Sequence, residues 1–111
     1  MPIYITQGRY TRDAIKGMIV KPEDRADAVA RLIGKVGGRL LGYYVTFGDY
    51  DFMVIADVPN DVQMAAVLLA AGGGGGVTDL RTTVALTSIE AKGAFAAAGD
   101  IAPGFKSAGG V

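Results

Sequence analysis

The sequence contains no cysteine, no histidine and no tryptophan. Without cysteine there is no disulfide framework and no thiolate chemistry. Without histidine the commonest general base and the commonest metal ligand are both missing. Iron, zinc or copper would have to rely on Tyr, Met or carboxylate ligands, so no bound metal or cofactor is expected. An excess of charge is also lacking, since 11 Lys and Arg balance 11 Asp and Glu. A neutral chain offers no field to draw in nucleic acid or an anionic membrane, and neither is expected as a partner. No run approaches the roughly 20 apolar residues that span a bilayer. The chain opens on a strand-like run rather than a basic segment followed by an apolar one, so a soluble cytoplasmic protein is expected. Its 111 residues suit one domain with one modest core.

What is present is a pattern of strands and helices. Residues 3–10 alternate as a strand, and Thr11 with Asp13 offers a cap and a dipole partner for a helix carrying Ile15, Met18 and Ile19. Pro22 interrupts that helix. A second helical stripe follows, Ala26, Val29, Ala30, Ile33 and Val36, and ends at Gly37-Gly38. Residues 38–47 and 50–58 read as two strands of a hairpin joined by two or three turn residues, Gly48 and Asp49 among them. Asn60 caps a helix over 61–71, which five glycines, Gly72 to Gly76, stop. Residues 77–86 form a fourth strand, and Thr87 with Glu90 has the spacing of a capping box for a short C-terminal helix. The order βαββαβ predicts an α+β, ferredoxin-like fold: a four-stranded antiparallel sheet with the helices on one face. Residues 1–90 are assigned to this domain, and 91–111 to the end of the last helix and a flexible tail.

The other sheet face should be polar if it meets water. The third strand places Phe52, Val54, Ala56 and Val58 on one face but Met53 and Ile55 on the other. The second strand is similarly two-sided, with Leu40 and Tyr44 opposed to Leu41, Tyr43, Val45 and Phe47. A second copy of the chain packed sheet to sheet is the economical cover, predicting a homodimer or an assembly of dimers. The helix over 61–71 is apolar all round after Gln63, which predicts that one side packs on the sheet and the other meets a neighbouring subunit or the C-terminal segment, where Ile89 and Phe95 are a candidate cover.

Gly48, Tyr50 and Asp51, together with Tyr4, Gly8-Arg9-Tyr10-Thr11, Gly17, Gly37-Gly38 and Ile55-Ala56-Asp57, resemble the GYD domain family of small bacterial proteins. The resemblance covers about residues 3–90. It implies a ferredoxin-like fold in the dimeric α/β-barrel group, where two sheets associate face to face, and it implies no particular activity. The five glycines depart from the Ala and Ser expected there.

The chemistry-bearing residues are few. Gly72 to Gly76 follows a helix and precedes a strand without Lys, so it is a connection rather than a phosphate loop. Asp49 reads as a turn-former and Asp57 as a strand-end carboxylate. Asp51, beside Tyr50 at the start of an apolar strand, is expected to accept structural hydrogen bonds rather than to catalyse. The tyrosines on or beside the strands offer phenol donors on an apolar lining, as ligand sites are usually built. Arg9 and Arg81, on adjacent strands, could add a fork for a carboxylate. Tyr4, Arg9, Tyr10, Tyr50, Asp51 and Arg81 are therefore the candidate ligand-binding residues. They predict a small dimeric module that binds a small apolar or carboxylated molecule or serves a structural role. The alternative is a cofactor-free oxygenase or isomerase of the kind the dimeric α/β-barrel fold hosts, an idea resting on fold analogy.

Overall fold

The computed structural model describes residues 1–110; Val111, the last residue of the expected tail, lies outside them. The elements are β1 (Ile3–Tyr10), α1 (Arg12–Val20), α2 (Arg25–Gly34), β2 (Arg39–Val45), β3 (Phe52–Asp57), α3 (Asp61–Gly73), β4 (Val77–Ala85) and α4 (Ser88–Ile101). A 3-10 turn follows at Ala108–Gly110. The strands form one antiparallel sheet in the order β2-β3-β1-β4. This is the ferredoxin-like arrangement, with α2 and α3 on one face.

Local chemistry sets the element boundaries. The Thr11, Asp24, Asn60 and Thr87 side chains each accept a backbone N–H at a helix start, and Thr87 with Glu90 completes a capping box. Such caps satisfy donors that have no partner inside the helix. Pro22 falls between α1 and α2 and divides the first helical stretch, as its missing N–H requires.

The core lies between the helices and the sheet. Tyr4, Phe52, Val54, Ala56 and Val58 from the sheet pack with Ile33 of α2 and with Met64 and Val67 of α3. Gly8 is needed here: a Cβ at that position would lie 2.7 Å from both Leu80 Cδ2 and Phe52 Cζ. On the opposite face Ile5, Met53 and Ile55 are half-buried, while Leu41 and Tyr44 are exposed in the single chain.

The structure corrects several expectations. A bulge between Leu40 and Gly42 shifts the β2 register, so Leu40 and Tyr43 lie on the helix-covered face, opposite Ala56 and Val54, and Tyr44 pairs with Met53 on the open face. Simple alternation puts Tyr43 and Tyr44 the other way round; one extra residue reverses every later side chain. The connection between β2 and β3 is also longer than a two- or three-residue turn. It runs from Thr46 to Asp51 and is closed by the Thr46 N–H on the Asp51 carbonyl (2.8 Å) and the Thr46 hydroxyl on the Tyr50 carbonyl (2.7 Å). Gly48 within it takes φ +155°, which side chains rarely adopt.

Helix α3 extends through Gly72 and Gly73 rather than stopping before them. Only one of its sides is covered: Met64 and Val67 are buried, whereas Val62 and Leu69 are each 77 % exposed. The C-terminal helix supplies no cover. It runs away from the body of a molecule 61 Å long and leaves Ile89 and Phe95 exposed.

Candidate functional site

An apolar cleft of about 320 Å³ lies between the sheet and helices α2 and α3. Its floor is the helix-covered sheet face, with Thr6, Tyr43, Phe52 and Val54. Val29 and Leu32 of α2 form one wall, and Met64, Val67 and Leu68 of α3 form the other. These are the stripes whose periodicity folds the two helices onto the sheet. The glycine run closes one end, since Gly74 and Gly76 line the cleft. That end is tied to α1 by the Thr11 N–H on the Gly76 carbonyl (3.0 Å) and the Thr11 hydroxyl on the Gly75 carbonyl (2.9 Å).

The break at Pro22 makes the mouth. Separating α1 from α2 opens a recess of about 400 Å³ lined by Met18, Lys21, Glu23 and Arg25, and it shares Arg25, Gly76 and Val77 with the cleft. Among the described residues Arg25 is the one charged side chain on the cleft wall. Its Nη1 donates to Glu23 Oε1 at 2.9 Å, an ion pair about half open to water.

Two polar residues of the cleft floor, Tyr43 and Thr6, each bond a hydroxyl just outside it. The hydroxyls of Tyr10 and Tyr43 bond each other closely. The Tyr43 ring stacks on Phe52 at 6.2 Å between centroids, and Tyr10 meets the same ring at 5.1 Å. Burial raises the Tyr43 pKa well above its ordinary value, and the bond to Tyr10 adds to this, against a smaller opposing effect of Arg25. Tyr43 is accordingly a neutral hydrogen-bonding phenol at physiological pH, not a phenolate base. Deeper in, the Thr6 and Thr82 hydroxyls bond at 2.9 Å across β1 and β4.

The candidate residues read from the sequence fall into three places. Tyr10 reaches the mouth of the cleft. Arg9, Tyr50 and Arg81 meet instead at an open polar hollow of about 410 Å³ at the sheet edge. There the Arg9 guanidinium lies 5.6 Å from the Tyr50 ring centre and Arg9 Nε is 3.6 Å from Asp79 Oδ2. Asp79 takes φ +52° at the irregularity where β4 passes Gly8. The third group is structural. Tyr4 is buried and its hydroxyl donates to Asp61 Oδ1 at 2.5 Å, a bond that, with burial second, raises the phenol's pKa. Asp51 accepts the Tyr10 N–H at Oδ2 (2.9 Å), and its own N–H donates to the Gly8 carbonyl (2.8 Å). It staples the loop before β3 to the irregular end of β1, as expected for a carboxylate at a strand start.

Strand alternation groups Tyr43 away from Leu40, and Arg25 falls outside the helical stripe of Ala26, Val29, Ala30, Ile33 and Val36, so neither stands out as a cleft residue. The signals that mark them are Gly42, since glycine inside a strand often denotes a bulge, and the position of Arg25 two residues after the Pro22-Glu23 break. Asp57, read as a strand-end carboxylate, is buried and takes three bonds from Arg39: from N (3.1 Å) and Nε (3.4 Å) to Oδ1 and from Nη2 (2.7 Å) to Oδ2.

Among solved structures the chain is similar to TTHA0845 from Thermus thermophilus, with a TM-score of 0.51 and 16 % identity over 79 % of this chain and 96 % of that one. It is also similar to FFRP-DM1, with a TM-score of 0.44 and 13 % identity over 78 % of this chain and 100 % of that one. At these identities the first likeness speaks for the fold alone. No match was found among curated proteins. The family model described as the GYD domain matches residues 4–95, most of the sequence, and the chain belongs to the GYD domain family.

Proposed function

We propose that this GYD protein is a dimeric binding module that holds a small, mainly apolar molecule in the cleft between α2, α3 and the sheet. The cleft itself carries the reading. It is apolar on floor and walls, falls at the lower end of the size range of small-molecule sites, and presents a few convergent polar groups at one end. Tyr43, held protonated on the cleft floor, is a hydrogen-bonding group for such a molecule rather than a general base.

The dimer is proposed from the open sheet face, where Ile5, Met53 and Ile55 are half-buried and Leu41 and Tyr44 lie exposed beside them. An apolar patch of that kind on a small protein marks an interaction surface, and self-association leaves the cleft on the far side of the sheet free.

Calorimetric titration with 1-octanol tests the binding reading. We expect saturable binding to the wild-type protein and its loss in Leu68→Trp, whose indole fills the space between α2 and α3. Leu68 is only partly buried, so a cooperative melting curve for the variant serves as the check on folding. Unchanged octanol binding by a folded Leu68→Trp protein, or none by the wild type, would overturn it.

A further inference from the structure

The polar end of the cleft is built almost wholly of donors. The Tyr10 and Tyr43 hydroxyls carry two protons between them, and their mutual bond uses one. Among the described residues no other side chain or carbonyl bonds either hydroxyl, so one phenol proton has no protein acceptor. Arg25 adds to this. Its guanidinium has five donor hydrogens, and only Nη1 is engaged, by Glu23. Lys21 lines the same mouth. Of the carboxylates nearby, Glu23 bonds Arg25 and Asp24 bonds the Ala26 N–H at the start of α2, and neither lines the inner cleft. Within the cleft lining, then, the polar end presents donors and one charge, the Arg25 guanidinium, at one end of an apolar slot.

Resting on the cleft reading above, we propose that the ligand is an amphiphile with a single carboxylate, its apolar body between α2 and α3 and its head group at Arg25, Tyr10 and Tyr43. The guanidinium fork matches a carboxylate in two parallel bonds, and the spare phenol proton supplies a third. The inner cleft sets the size of the body. At about 30 Å³ for each non-hydrogen atom, roughly that of a water molecule in the liquid, 320 Å³ holds a chain or ring system of about ten such atoms. Glu23 competes for the same guanidinium but is half-exposed, so an incoming carboxylate displaces it into water at little cost. The assignment differs from the exposed fork at Arg9 and Arg81. There Asp79 already sits against Arg9 and the hollow offers little apolar wall.

Octanoate and octanamide separate this proposal from the reading it rests on, because they share size and tail and differ in charge. For the wild-type protein we expect octanoate to bind at least about tenfold more tightly, the worth of one hydrogen bond to a charged group. Arg25→Gln should remove that preference, bringing the octanoate affinity down to that of octanamide, and Arg25→Lys should restore part of it. Equal binding of the two probes by the wild type overturns the carboxylate assignment and leaves the cleft reading standing. A preference for octanoate that survives in folded Arg25→Gln also overturns it, since the charge would then be recognised elsewhere. Failure of both probes to bind the wild type defeats the assignment and the cleft reading together.

Discussion

Asp51 shows most clearly what a single side chain does here. Its carboxylate takes the Tyr10 N–H at the irregular end of β1, a donor that would otherwise be left without a strong partner. Asp51→Ala should cost about 1–3 kcal/mol and lower the melting temperature by several degrees, whereas ligand affinity at the cleft changes little in the folded variant. A wild-type melting curve for Asp51→Ala would contradict this role. Tyr43 carries a pH signature. Its pKa is raised in the folded protein, so the stability it contributes is complete below the unfolded value of about 10 and is lost as pH rises from there through the folded value. Tyr43→Phe should therefore flatten the alkaline limb of stability against pH, leaving the smaller share of Tyr4, whose pKa is raised as well. An alkaline limb identical to wild type would show that Tyr43 ionises freely.

Helix caps, the Pro22 break and the alternation in β3 are all legible in the sequence, because each depends on one or two residues whose chemistry acts locally. The bulge in β2 is not. Gly42 permits a bulge without requiring one: Leu40-Leu41-Gly42 alternates as well in a regular strand as in a bulged one, and pairing with β3 decides between them. That is why the sequence groups Tyr43 away from Leu40 and reveals only Tyr10 of the two phenols at the cleft. Arg9, Tyr50 and Arg81 do lie near one another as the sequence suggests, yet at an open edge rather than in the apolar space. The irregular passage of β1 past β4 gives the element-scale prediction. With Leu80 and Phe52 crowding Gly8, a methyl group has no room, and Gly8→Ala should destabilise the fold by about 1–3 kcal/mol through overpacking. A chemical denaturation midpoint equal to wild type would mean that β1 and β4 separate there without strain.

At the scale of the whole molecule the sheet has two apolar faces and the single chain covers one. Sedimentation velocity should find a dimer at micromolar concentration, and Ile55→Lys, at the centre of the open face, should yield a folded monomer because a buried unpaired ammonium opposes association. A wild-type monomer at that concentration would contradict the proposed assembly. The covered face holds the small-molecule cleft between α2, α3 and the sheet, and methyl-detected NMR during titration with 1-octanol tests it residue by residue. Saturable shifts at Met64, Val67 and Leu68, with Met53 and Ile55 on the opposite face unmoved, are the predicted result. Shifts confined to Met53 and Ile55, or no saturable shift at the cleft methyls, would contradict it.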